Sequence, residues 1–337
     1  MPIASNASPL VQIDADLCTD VVAFAPWDDG DPVSVLACGT YELEKDGTRH
    51  GGTYRFAFHT SSEDDDAGPV ELSRVWRASS SAVFDLAWSP DGQSIVEAAT
   101  DGHVHVYSRN NATRRGSARI CSDAMATSVD IRRDRLACAT SSGCVSVLDW
   151  PTLAEQRQWR AHDLEAWTCA FDKHDECVVY SGADDCSLRS WDVRAPDCVL
   201  HCTGHTMGVT SLASHPCRPN VLASGSYDEK VRLWDTRSMK GPMASYEAGG
   251  GVWCLKWHPS YDIDEFRDLL LCANMHNGFA VVSATGARIR PVASLRERDD
   301  SIAYGCDWCR DPSTPDLIAS CSFYDKRIRL WRLTVDE

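Results

Sequence analysis

Residues 204–237 read GHTMGVTSLASHPCRPNVLASGSYDEKVRLWDTR. The stretch opens on Gly204-His205 and closes on Trp234-Asp235-Thr-Arg237. Between these ends Val209, Ser211 and Ala213 alternate with Thr210, Leu212 and Ser214. Alternation of this kind predicts a strand, and Pro216 stops it because proline has no amide donor for a ladder. Val221 to Ser226 reads as a second strand. Tyr227-Asp228-Glu229-Lys230 is then the turn into a third, Val231–Trp234.

This layout is the WD40 repeat, one four-stranded blade of a β-propeller. Its recurrence can be measured from the position of Ser214, near the end of the first strand. The counterparts are Phe24, Trp88, Ile131, Phe171, Trp257 and Trp308. The successive steps are 64, 43, 40, 43, 43 and 51 residues, against a repeat of about 40–45. Insertions lengthen the two long steps: ELEKDGTRHGG after Tyr41 with the acidic loop Ser61–Ala67 in the first, and Asp262–Arg267 in the second, while Arg310–Asp316 lengthens the chain beyond the last counted position. The expected fold is therefore all-β, one seven-bladed propeller over residues 1–337. Its blades lie near 20–59, 82–107, 127–149, 162–194, 205–237, 250–282 and 302–333. The last blade runs out of chain after three strands. Leu10–Ile13 alternates and precedes the first blade, so a strand over 9–14 is expected to complete the last blade and close the ring, removing its open edges.

Bulk properties agree with such an array. A chain of 337 residues exceeds the about 250–300 residues that one core supports, but blades need only cover their neighbours. No apolar run approaches the about 18 residues of a membrane span. The opening MPIASNASPLVQ lacks the basic and apolar regions of a secretory signal. Sixteen cysteines without framework spacing then read as reduced thiols in the cytoplasm or nucleus, which leaves the glycosylation patterns at Asn6 and Asn111 idle. A net charge of −16 argues against direct nucleic-acid binding, which needs a basic footprint. It suits a basic protein partner, or solubility alone.

Several polar sets resemble catalytic groups and are read as structural. His205, Ser224, Asp228 and Trp234 recur as His162, Ser181, Asp185 and Trp191, with the same six-residue step from Asp to Trp. A hydrolytic triad is not expected twice in one chain; this is the tetrad that ties a WD40 blade together. Cys306-Asp-Trp-Cys309 has redox or zinc-like spacing, yet an offset of three in a strand sends the two side chains to opposite faces. No metal or cofactor is expected.

Two rings of positions face the mouth of the channel by register. Just before the tetrad Asp stand Tyr41, Thr100, Ser141, Asp184, Tyr227, Met275 and Tyr324. At the entrance of each first strand stand Asp20, Phe84, Thr127, Trp167, Thr210, Trp253 and Tyr304. The expected site gathers Tyr41, Trp167, Tyr227, Trp253, Tyr304 and Tyr324 around Asp184 and Glu165. Aromatic faces with carboxylates suit an organic cation, at about 0.5–2 kcal/mol per ring contact. They equally suit a protein-binding surface, where Tyr and Trp are hot spots. His276 holds the tetrad-Asp position in a blade with no tetrad, which frees it as a proton carrier.

Other segments go beyond the repeat pattern: Leu36-Ala-Cys-Gly-Thr-Tyr-Glu-Leu43, Ala161-His-Asp-Leu-Glu-Ala-Trp-Thr168, Tyr180-Ser-Gly-Ala-Asp-Asp185, His205-Thr-Met-Gly-Val209, Gly225-Ser-Tyr-Asp-Glu229, Gly249-Gly-Gly-Val-Trp253, Tyr304-Gly-Cys-Asp-Trp308 and Ser320-Cys-Ser-Phe-Tyr-Asp325. Together they resemble the diphthine methyl ester hydrolase (diphthine methylesterase) family of the eukaryotic diphthamide pathway, most strongly from Ala161 to Trp331. The resemblance implies removal of a methyl ester from methylated diphthine on translation elongation factor 2, before amidation to diphthamide. It implies a trimethylammonium-bearing substrate side chain for the mouth. Ester hydrolysis needs an activated water or nucleophile, a proton carrier and oxyanion donors. The candidates are Asp184 or His276 for the proton and the Tyr227 or Tyr324 hydroxyl for the oxyanion, with Ser141 and Cys321 as alternative nucleophiles. A non-catalytic alternative rests on the adjacent boxes ending in Arg194 and Arg237, which resemble substrate receptors of cullin–RING ubiquitin ligases. These two arginines would then contact the ligase adaptor.

Overall fold

Hydrogen bonding gathers the alternating segments into seven antiparallel sheets, and every regular element among the described residues is a strand. The computed structural model describes residues 5–28, 33–58, 72–260, 263–296 and 300–333. The acidic loop Ser61–Ala67, together with His59 and Asp262, lies outside them. The inner strands of blades 1 to 7 are Thr19–Phe24, Val83–Trp88, Ala126–Arg132, Ala166–Phe171, Val209–Ser214, Cys254–Trp257 and Ala303–Trp308.

The blade limits read from the sequence stop one strand short in blades 1 to 6. The missing outer strands include Arg114–Arg119 in blade 2, Glu155–Arg160 in blade 3 and Ala195–Cys202 in blade 4. RRGSAR and EQRQWR are mostly exposed. An outer strand has little apolar surface to bury, so the pattern that marks the inner strands fades there.

Burial explains why the blades hold together. The apolar side chains form seven clusters, and each lies between two neighbouring blades rather than inside one. Three tryptophans at the measuring position also donate their indole N–H to the preceding blade: Trp88 to Ala23 O at 3.0 Å, Trp257 to Ala213 O at 2.9 Å and Trp308 to Lys256 O at 3.0 Å. Glycines let the blades approach. A Cβ on Gly39, Gly182 or Gly225 would come within 2.7, 2.6 or 2.5 Å of a methyl of Val83, Val209 or Val252 in the next blade.

The ring closes as expected. Pro9–Asp14 pairs antiparallel with Arg327–Arg332 as the outer strand of blade 7. Val11 and Ile13 pack on the cluster shared by blades 7 and 1. On the inside, Phe24 N donates to Asp307 Oδ2 at 2.9 Å across the same seam. The sequence reading did not include Ser5–Asn6, which runs parallel to Arg288–Leu295 and extends blade 6. The first residues thus span the outer edges of blades 6 and 7.

Both tetrads assemble within their blades. His162 Nδ1 contacts Asp185 at 3.1 Å, its Nε2 meets Ser181 Oγ at 2.7 Å, and Trp191 donates to Ser181 Oγ at 2.8 Å. In blade 5 the corresponding distances are 3.0 Å to Asp228, 2.6 Å to Ser224 and 2.7 Å from Trp234. Cys306 and Cys309 enter different inter-blade clusters, as their odd offset requires.

Removing residues 1–14 strips Val11 and Ile13 from the seam and bares the edge of Arg327–Arg332. Loss of about 2–4 kcal/mol of unfolding free energy is expected, with self-association through the bare edge. Urea unfolding and size-exclusion chromatography check this; an unchanged midpoint would contradict the closure.

Candidate functional site

The mouth is built by one repeated irregularity. In six inner strands, pairing with the second strand skips a residue at the entrance: Asp20, Phe84, Thr127, Trp167 and Thr210, and Tyr304 together with Gly305. Such a bulge leaves its extra residue unpaired and re-aims the side chain. Trp253 sits immediately ahead of its strand in blade 6. All seven residues line an axial cavity of about 460 Å³.

The aromatic members close on each other. Ring centroids run Tyr41–Phe84 at 5.4 Å, Phe84–Trp167 at 6.3 Å, Trp167–Trp253 at 6.2 Å, Trp253–Tyr304 at 4.7 Å, Tyr304–Phe323 at 5.0 Å and Phe323–Tyr41 at 6.1 Å. At the entrance position blades 3 and 5 carry Thr127 and Thr210, whose hydroxyls donate to Ala166 O and Val252 O of the next blade. The large rings of Trp167 and Trp253 bridge over those small residues. Aromatic faces gathered in this way attract an organic cation that comes within about 6 Å of a ring centroid.

Placement of the other sequence candidates is uneven. Tyr227 joins the circuit from the side, 6.1 Å from Trp253. Asp184 is exposed at the rim and accepts the Trp167 indole N–H at 3.4 Å. Gly208 separates Asp184 from Tyr227: a Cβ there would lie 2.5 Å from Asp184 Oδ1 and 3.3 Å from Tyr227 Cδ2. Half-buried Glu165 offers its backbone carbonyl to Asp184 N at 2.9 Å and does not line the cavity.

Four expectations need correction. Phe323 occupies the circuit position assigned to Tyr324, which is 62% exposed and edge-on to Phe323 at 5.2 Å. His276 is exposed and neither lines the cavity nor joins the circuit. Its turn is set by Met275, at φ 37°, whose own side chain turns inward toward Gly251. Cys321 is fully buried between blades 7 and 1, out of reach of a substrate. Ser141 accepts Met125 N at 2.9 Å and does not line the cavity. Arg194 and Arg237 are exposed, each paired with the Asp of its own box, Asp192 at 2.6 Å and Asp235 at 2.7 Å.

Burial acts on two of the acids that line the cavity, Asp85 and Asp20. Burial pushes the Asp85 carboxyl up, opposed by Lys256 and by hydrogen bonds from Val129 N and Ser128 Oγ at 3.0 Å. Burial lifts Asp20 well above the usual carboxylate range, and the charge of Asp85 adds to this. Asp20 is 2% exposed, and its Oδ2 has no hydrogen-bond partner. Burial also raises Tyr227, to about 12, helped by Asp184 and Asp20, and raises Tyr304 further. Both hydroxyls therefore keep their protons at neutral pH.

Comparison with known proteins bears on this arrangement. The WD domain, G-beta repeat (WD40) pattern matches residues 70–108, 154–192, 196–235 and 289–332. A Dictyostelium discoideum protein named diphthine methyltransferase homolog is 30% identical over 94% of this chain and 96% of its own length. The chain belongs to the diphthine methyltransferase family of WD-repeat proteins. The Mus musculus diphthine methyltransferase is 34% identical over 90% of the chain and 70% of its own length. Its Schizosaccharomyces pombe counterpart is 33% identical, over 88% and 90%. A chain in a crystal structure of the mitotic checkpoint complex superimposes with a TM-score of 0.76 at 18% identity, over 100% of this chain and 94% of that one. That likeness concerns the fold alone.

Within this family fold, Asp20, Asp85 and Phe323 were not singled out by sequence reasoning. Asp20 and Phe84 do stand in the entrance register, so the signal was present there. Asp20 is the one acid among seven equivalent positions, which counting by residue type at fixed register would have flagged. Phe323 escaped because the turn of blade 7 aims its side chain inward one residue earlier than in blade 5.

A raised tyrosine pKa makes stability depend on alkali. The unfolded chain loses the phenol proton near pH 10 and the folded chain near 12, so this contribution is whole below pH 10 and declines as pH rises through 12. A Tyr227→Phe variant should show a shallower fall of urea midpoint between pH 10 and 12, measured by circular dichroism. Parallel profiles for variant and wild type would refute the burial of that hydroxyl.

Proposed function

We propose that the chain hydrolyses the methyl ester of methylated diphthine on translation elongation factor 2, releasing methanol and leaving a carboxylate for amidation to diphthamide. The observation that carries this reading is the unbroken aromatic circuit over an acid-lined cavity. In diphthine the trimethylammonium nitrogen and the carboxyl share one carbon. A site that grips the nitrogen therefore holds the ester carbonyl at its rim. Family membership supports a place in diphthamide biosynthesis, since the relatives carry diphthine in their names. The net charge of −16 favours encounter with a basic protein surface.

Asp184 and Tyr227, on either side of Gly208, are the rim groups with the required chemistry. Asp184 takes a proton from water as its oxygen attacks the ester carbonyl carbon. The Tyr227 hydroxyl donates to the oxyanion that forms. Collapse of the tetrahedral intermediate breaks the bond to the methoxy oxygen, which receives the proton from Asp184 and leaves as methanol. Methyl transfer in the other direction would require a bound methyl donor, whereas hydrolysis requires only water.

The test is methanol release from elongation factor 2 bearing methylated diphthine. Wild type should release about one methanol per factor, and Asp184→Asn should slow release about 100-fold, the scale of one lost acid–base group. Gly208→Ala should also slow it, because the added carbon displaces both rim groups. Consumption of S-adenosylmethionine with no methanol would overturn the hydrolytic direction.

A further inference from the structure

Asp20 occupies the acidic seat among the seven entrance positions, between Tyr304 of blade 7 and Phe84 of blade 2. Tyr41 and Phe323, paired at 6.1 Å, close the circuit on the same side of the ring. The cationic side chains that line the cavity are committed elsewhere. Lys173 pairs with Asp130 at 3.8 Å and Arg310 with Asp307 at 2.9 Å. Lys256 interacts with Cys254, Asp307 and Asp85. Asp85 also has Ser128 and Val129 as donors. Asp20 Oδ2, in a residue 2% exposed, is left without a partner beside a cavity.

Burial without a partner disfavours the charged form of this carboxyl, and a cation seated beside it restores the charge by favouring loss of the proton. The class of cation follows from the surroundings. Primary ammonium and guanidinium groups need directed acceptors for each N–H. The circuit itself presents ring faces rather than acceptors, while hydroxyls such as Thr127 and Thr210 beside it already donate to Ala166 O and Val252 O. A quaternary ammonium has no N–H to satisfy, and it needs only ring faces within about 6 Å and one negative charge nearby.

We propose that Asp20 is the counter-ion for a quaternary ammonium group seated inside the aromatic circuit. This rests on the circuit being a cation site, as in the function proposed above, and locates the charge that answers the cation. It assigns that role to Asp20 in place of exposed Asp184 and half-buried Glu165. Asp184 is thereby released for chemistry at the rim, with the nitrogen bound inward and the ester outward.

Tetramethylammonium chloride and its neutral isostere tert-butanol, titrated into the full chain at constant ionic strength, provide the probe. Trp167 and Trp253 fluorescence reports occupancy. Wild type should bind the cation about tenfold or more tighter than the alcohol. Asp20→Asn should erase that preference and leave tert-butanol binding unchanged. If near-ultraviolet circular dichroism shows that Asp20→Asn is misfolded, Asp20→Ser makes the same measurement. Equal binding of the two probes by wild type, or an undiminished preference in the folded variant, overturns the proposal. Methanol release measured in parallel keeps the two readings apart. Cation binding through Asp20 without methanol removes only the esterase, and methanol release with an indifferent Asp20→Asn removes only the counter-ion.

Discussion

Circular burial is the constraint on which this molecule rests. Each sheet presents apolar side chains to both sides, and every cluster lies at a seam between blades. A blade alone would leave both faces wet, so its stability exists only jointly with its neighbours. The seam between blades 7 and 1 joins the two ends of the chain. There the Pro9–Asp14 strand, the bond from Phe24 N to Asp307 and the bond from Thr19 Oγ1 to Ser322 O at 2.8 Å act together.

The same constraint produces the site. Seven inner strands must converge around one axis, and entrance bulges in six blades, with Trp253 just ahead of its strand in blade 6, turn one side chain from each into the space that remains. Residue size then shapes the opening. Threonines in blades 3 and 5 leave room that Trp167 and Trp253 fill, and the circuit closes with six rings from five blades. Because the interior is a channel rather than a packed core, Asp20 can remain buried without a partner, a condition that a solid core would not sustain.

Legibility from sequence followed the range of each interaction. Val209–Ser214 and Val221–Ser226 were read to the residue because alternation is a property of immediate neighbours. The tetrads were equally clear, since spacing within one blade places His205 over Ser224 and Asp228. Outer strands such as Arg114–Arg119 were not, because they bury too little to carry a pattern. Tyr324 and His276 were placed by counting along turns. Turn geometry, with Met275 and Lys326 at positive φ, decides which residue of a turn faces inward.

From the residues alone came the number of blades, the inner-strand registers and the use of the 9–14 strand to complete the last blade. These depend on periodicity and on repeat spacing, both local quantities. The tertiary structure alone decided that Tyr41 meets Phe323, that Phe84 reaches Trp167 across a whole blade, and that Asp20 Oδ2 is buried without a hydrogen-bond partner among the described residues. Those facts depend on the radius and closure of the ring, which bring together side chains as much as 282 positions apart.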